Sequence, residues 1–193
     1  PSVGEAAVTF SLTNQSGAPG DTAKQMTIGS TDTTGQGIIS VDITIGFDPT
    51  VLECTAAAAG TLTSGWTFTP NINNTTGRVV IATFSTTALT GTGSVGVLTF
   101  SVKVGAAGGA SPVTFVSAQA NEGGVPVTTA NGTFTVNVPT PILSVSPTTL
   151  NFGTATTSLT FNIDNTGEGT LNWTVGAAYV PVGVKATGAG VSW

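Results

Sequence analysis

From Ser40 to Phe47 the chain alternates strictly, with Val41, Ile43, Ile45 and Phe47 on one phase and Ser40, Asp42, Thr44 and Gly46 on the other. A period of two over this length predicts a strand spanning 38–47 with one buried face and one polar face. Asp48-Pro49 ends it, since proline lacks the amide proton and a short acceptor before it favours a turn. Val51 and Leu52 then read as a latch folding back onto the core. A second alternation sets Leu98, Phe100, Val102 and Val104 against Thr99, Ser101 and Lys103, which predicts a central strand over 95–104. Shorter strands are predicted at 7–13, 24–28, 67–70, 78–84, 113–116 and 133–138. No segment sustains a helical period, and Gly, Pro and Thr interrupt every run, so the chain reads as all-β.

The pattern breaks at Val138-Pro-Thr-Pro-Ile142, where two prolines at alternate positions stiffen the chain and discourage pairing. This divides the sequence into a β-sandwich over 1–138, a linker at 139–142 and a second β unit over 143–193. In the second unit Leu159, Phe161 and Ile163 form one apolar phase, Asn165 to Gly169 a turn, and Leu171, Trp173 and Val175 a returning phase. The spacing predicts a hairpin with an apolar side and an unpaired edge. From Leu143 onward the chain has roughly half the ~100 residues of a full immunoglobulin-like sandwich. Three readings follow: the native chain continues, the half-sandwich packs on the first domain, or a neighbouring subunit's strand completes it.

Composition narrows the chemistry. Of 193 residues only 7% are charged, the net charge is -5, and the four basic residues, Lys24, Arg78, Lys103 and Lys185, form no cluster in sequence. Nothing there neutralises a phosphate backbone, so nucleic acid is excluded as a partner. With no histidine and Cys54 alone, the commonest general base, a Cys-His pair, an internal disulfide and a cysteine-rich zinc site are all ruled out. Cys54 reads as a small buried hydrophobe, with a link to another chain as the alternative. No apolar run approaches the ~20 residues of a membrane helix. Pro1 reads as the start of a mature or trimmed chain, and the Gly, Thr, Ser, Ala and Val richness suits a secreted or cell-surface β-protein.

The stretch GIISVDITIGFDPTVLE (37–53), followed in order by GRVVIATFSTTALTGTGSVGVLTFSVKV (77–104) and PVTFVSAQANEGGVPVTTANGTFTV (112–136), resembles the cohesin family over about residues 5–138. Cohesins are extracellular jelly-roll or immunoglobulin-like β-sandwiches that grip dockerin modules. The resemblance implies that Ser40, Asp42 and Thr44 face the partner, with Asp42 accepting hydrogen bonds from its hydroxyl groups. Position 40 is often Asn in those relatives and is the shorter Ser here. Any calcium implied by the resemblance belongs to the dockerin. The segment LSVSPTTLNFGTATTSLTFNIDNTGEGTLNWTV (143–175) resembles the opening strands of the immunoglobulin-like BACON or choice-of-anchor modules.

Paired carboxylates are the one enzymatic option left, and Asp42 and Asp48 fail it. Six residues of strand put them ~20 Å apart, against the ~5–9.5 Å of glycoside hydrolases. No enzyme is expected, and no cofactor. Asp21, Asp32, Asn71, Asn73, Asn74, Asn121 and Glu122 carry oxygen ligands but no EF-hand spacing, and read as turn residues. Sequons at Asn14, Asn73, Asn74, Asn131 and Asn172 are candidate glycan acceptors. The leading functional reading is a non-catalytic extracellular interaction module with a dockerin-like partner. A filament, sheath or surface-layer subunit polymerising with identical copies through the edge at Leu159, Phe161, Ile163, Leu171 and Trp173 is the alternative. A carbohydrate-binding or adhesin role through Trp66, Phe68, Trp173, Tyr179 and Trp193 is a third.

Overall fold

The computed structural model describes residues 7–151, 153–154, 158–174 and 176. In chain order the strands are β1 (Val8–Leu12), β2 (Gln15–Gly17), β3 (Lys24–Ser30), β4 (Ser40–Gly46), β5 (Leu52–Ala59), β6 (Thr67–Asn73) and β7 (Arg78–Phe84). They continue with β8 (Gly93–Val102), β9 (Gly109–Ala120), β10 (Val127–Ala130), β11 (Gly132–Val136), β12 (Leu143–Ser146) and β13 (Asn162–Asn165). Asn121–Gly123 forms a 3-10 turn after β9. Two compact units result, Pro1–Val138 and Pro139–Trp193.

The first unit is a sandwich of two sheets, ordered β10-β1-β3-β8-β5 and β2-β11-β9-β4-β7-β6. Alternation drives one phase of β1, β3, β4, β8 and β11 inward. Phe10, Met26, Leu98 and Phe100 come from the first sheet and Ile43, Ile45, Ile81 and Phe134 from the second, all at most 1% exposed. Phe47 closes one end with its ring edge-on to Phe100, centroids 5.3 Å apart. Each such side chain contributes about 1.5–3 kcal/mol of burial.

The chain passes from one sheet to the other at two asparagines. Asn14 lies between β1 and β2, and Asn131 between β10 and β11; β1 runs parallel to β10 and β2 parallel to β11. At each crossing the ladder loses an acceptor and the side chain supplies one. Asn14 Oδ1 accepts from the Thr133 amide and Asn131 Oδ1 from the Phe115 amide, both at 2.9 Å. Gly132 makes the second crossing close enough, because a Cβ there would stand 2.8 Å from both Leu12 Cβ and the Thr13 carbonyl oxygen.

Eight predicted strands correspond to observed ones, and three strands of the first unit, β2, β5 and β10, were not anticipated. Leu52 is the first residue of an eight-residue edge strand rather than only a latch. That strand bulges between Cys54 and Ala56, and Asn74 fills the gap. Its Oδ1 accepts from the Cys54 amide at 2.9 Å and its Nδ2 donates to the Cys54 carbonyl at 3.0 Å. β8 does lie inside its sheet, between β3 and β5, but Val104 is not on its buried face. The strand ends at Val102, a turn follows in which the Ala106 amide donates to the Lys103 carbonyl, and Val104 is 85% exposed.

In the second unit the predicted hairpin is replaced by a different pairing. β13 runs antiparallel to β12, with Val145 opposite Ile163, while Leu171–Thr174 form no strand. The turn residue Asn165 explains the choice. Its Oδ1 accepts from the Ile142 and Gly167 amides and its Nδ2 donates to the Gly169 carbonyl at 2.7 Å, while Glu168 N–H donates to the Thr140 carbonyl. Thr140 and Ile142, expected in a proline-stiffened linker, are thereby hydrogen-bonded within this unit. Val175 lies outside the described residues.

Candidate protein-docking face

β4 is an inner strand of the six-stranded sheet, flanked by β7 and β9, with β6 at the edge beyond β7. Its buried phase is core, so its other phase faces outward together with whatever lies directly opposite on the neighbours. The register gives two rows across the sheet: Thr69, Ala82, Asp42 and Gln119, then Asn71, Val80, Thr44 and Ser117. Ser40 stands opposite Phe84, which in turn stands opposite Thr67. Asp42 is exposed and Ser40 and Thr44 are half-buried, so the three expected side chains share one face.

The sequence reading missed the apolar part of that face. Val80 and Phe84 project from β7 with 46% and 55% exposure, beside the row that holds Asp42. The signal was present in RVVIATF, which is apolar on both phases where its neighbours alternate. Val79 and Ile81 go inward and Val80 and Phe84 outward. Pro70 sits in β6, the edge strand, where a missing amide proton discourages a further strand from pairing and leaves the broad face as the available surface.

Arg78 marks one end of the face. It is paired with Gly46, and a Cβ on Gly46 would overlap the Arg78 Nη1, so the guanidinium lies across β4 toward Val116 of β9. Beside it is a shallow hollow of about 270 Å³ lined by Gly46, Phe47, Thr76, Gly77, Arg78, Pro112 and Thr114. At the opposite end Asn121 clamps the entry to β4. Its Oδ1 accepts from the Ile39 and Ser40 amides, and its Nδ2 donates to the Gly37 carbonyl.

The remaining candidate residues are spent on structure. Asp21 is held below the usual carboxylate range by hydrogen bonds from Lys24 and the Ala18 amide, Asp32 by Thr34, and Asp48 by the Thr50 hydroxyl and amide. Asn73 accepts from the Thr75 and Thr76 amides. Asn71 belongs to the outer face, and Glu122 is exposed in the turn after β9. Among the described residues no group of three His, Cys, Asp or Glu side chains could hold a metal ion. Cys54 is buried, its thiol donating to the Ala56 carbonyl, and burial pushes its pKa up to about 11. This removes the link to another chain from a folded molecule.

Of the sequons, Asn14, Asn73, Asn131 and Asn172 are exposed, whereas both amide atoms of the half-buried Asn74 are committed to Cys54. Trp66 and Phe68 pack against the core as half-buried side chains. Tyr179 and Trp193 lie outside the described residues. Of the expected complementation edge, Leu159 and Phe161 are exposed, Ile163 is half-buried in β13, and Leu171 and Trp173 are half-buried outside any strand. No described helix is long and apolar enough to cross a membrane.

Solved structures similar to the first unit share its architecture. A non-cellulosomal cohesin from Archaeoglobus fulgidus is 18% identical with a TM-score of 0.59, covering 68% of this chain and 92% of its own. The sixth cohesin of Acetivibrio cellulolyticus scaffoldin B, solved with a dockerin, is 22% identical with a TM-score of 0.61, covering 68% and 100%. The OlpA cohesin of Clostridium thermocellum, also solved with a dockerin, is 17% identical with a TM-score of 0.61, again covering 68% and 100%. No curated protein sequence matches the chain. The Cohesin domain family matches residues 8–136, and the resemblance of 143–175 to BACON modules finds no support. A match over that span, on a sandwich of the same build, means that the chain belongs to the cohesin family of non-catalytic protein-binding domains.

Proposed function

We propose that the chain is an extracellular assembly module that captures a dockerin-type protein on the outer face of β9, β4, β7 and β6. The observation that carries this is the placement of Asp42 beside two exposed apolar side chains, Val80 and Phe84, on a broad sheet where Thr44, Thr69, Asn71, Ser117 and Gln119 surround them with hydroxyl and amide groups. An apolar anchor next to one hydrogen-bonding charge is the composition of a protein interface centre. Solved cohesins with dockerins bound support the partner class. Capture of a panel of dockerin modules by the intact chain, Asp42→Ala and Phe84→Ala tests it. Binding by the intact chain that falls about tenfold or more in Phe84→Ala and drops in Asp42→Ala is expected. Capture of no module by the intact chain sinks the proposal.

One observation favours a second reading, a filament or surface-layer subunit joined through the second unit. Its two-stranded sheet leaves Leu143, Leu159 and Phe161 at least 37% exposed. A sheet of two strands is marginal alone and gains by adding another. Electron microscopy of the purified protein decides, with a persistent monomer under native conditions counting against it.

A further inference from the structure

The outer face has two charged poles of opposite sign. Asp42 is exposed near its middle, and Glu122 adds a second exposed carboxylate just beyond β9, next to the Asn121 clamp on Ser40. Arg78 stands at the other end, opposite Gly46. Lys24 is paired with Asp21 at 2.8 Å and Lys103 with Glu53 at 2.7 Å, whereas Arg78 has no carboxylate partner among the described residues. The acid nearest in sequence to its hollow, Asp48, is occupied by Thr50. Between the poles lie only the uncharged Thr44, Val80, Ser117 and Asn71.

Four residues of strand separate Asp42 from Gly46, so the poles stand about 14 Å apart. That exceeds the ~8 Å screening length at physiological salt, so neither pole cancels the other and each is free to pair with a partner charge. Along a helix rising 1.5 Å per residue that distance falls between two and three turns, and the spacings there that keep two side chains on one face are about seven and about eleven residues. The guanidinium spread over Gly46, with the Thr76 and Thr114 hydroxyls lining the hollow beside it, is suited to a carboxylate.

Resting on the docking reading above, and on the helix carried by a dockerin solved with a cohesin, we infer that this face selects a partner helix bearing a basic residue and an acidic residue about seven or about eleven positions apart, two or three turns on one helix face, seated over Asp42 and Arg78 respectively. The order of those two residues along the helix then fixes the direction in which it lies. A helix with both ends neutral or alike lacks this preference.

The test is titration calorimetry of the full chain and its variants against a panel of dockerin modules, at about 0.05 M and about 0.5 M salt, chosen to bracket the screening range. Modules bound by the wild type are expected to carry the spaced pair. For these, Arg78→Glu weakens binding about three- to tenfold at low salt and less at high salt, while Arg78→Lys keeps most of the affinity. The double swap, Asp42→Lys with Arg78→Glu, transfers preference to a module whose two charges are exchanged. Thermal melts confirm that each variant is folded. If Arg78→Glu binds every captured module as tightly as wild type, the two-pole inference is overturned and the docking reading stands. If the wild type captures no module, both fall.

Discussion

Asparagine and cysteine at the β5 bulge show how single side chains are committed here. Asn74 substitutes for a missing strand by accepting from and donating to the Cys54 backbone, which seals the thiol inside the sandwich. Burial raises the Cys54 pKa from 9.0 to about 11, so the folded state holds its proton more tightly than the unfolded one. The contribution is therefore fully present below pH 9.0 and is lost as pH rises toward about 11. A thiol reagent at pH 8 is expected to leave the native protein unlabelled and to react once denaturant unfolds it. Denaturation midpoints should fall between pH 9 and 11 in the wild type and stay flatter in Cys54→Ala. Rapid native labelling would show the site to be open. The burial was legible from the residue's place next to Leu52. The Asn74 clamp was not, since a sequon and a hydrogen-bonding amide are spelled alike.

Among elements, legibility followed the strength of alternation. β4 and β8 carry Val, Ile and Phe on one phase, so burial alone fixes their register, while β7 is legible as a strand from its β-branched run although both its phases are apolar. β5 runs into four alanines, which signal neither strand nor face, while β2 and β10 are three and four residues long and mostly polar. Their partners lie over a hundred residues away in sequence and run parallel, so no local turn announces them. The proposed docking face divides in the same way. Asp42 was readable from its own strand, but Phe84 and Arg78 needed the β4–β7 register to place them beside it. The crossing at Asn131-Gly132 supplies a test of the fold at this scale. Gly132→Ala puts a methyl group 2.8 Å from Leu12 Cβ and the Thr13 carbonyl, and should cost about 1–3 kcal/mol. Gly105→Ala meets nothing within 4 Å and should stay within about 0.5 kcal/mol of wild type. Equal stability of the two variants in urea would mean that the sheets do not cross where the structure places them.

Across the whole molecule the apolar burial is unevenly shared. Every buried hydrophobic side chain among the described residues lies between Val8 and Val136, in the unit that carries the outer face. Beyond Val138 Ile142, Leu143, Leu159 and Phe161 are exposed and Val145, Leu150, Ile163, Leu171 and Trp173 only half-buried, on or next to a sheet of two strands. Cooperative unfolding needs a shared core, so the first unit should melt as it does in the full chain when the protein is cut back to residues 1–138. A change of 1 kcal/mol corresponds to about 2–4 °C at this size, so the midpoint is expected to move by no more than that. Dockerin affinity should be unchanged, since Ser40, Asp42, Thr44, Arg78, Val80 and Phe84 all remain. A midpoint lowered by about 8 °C or more would mean that the second unit contributes over 2 kcal/mol to the first. Loss of capture without a change in melting would assign part of the docking surface to residues after Val138.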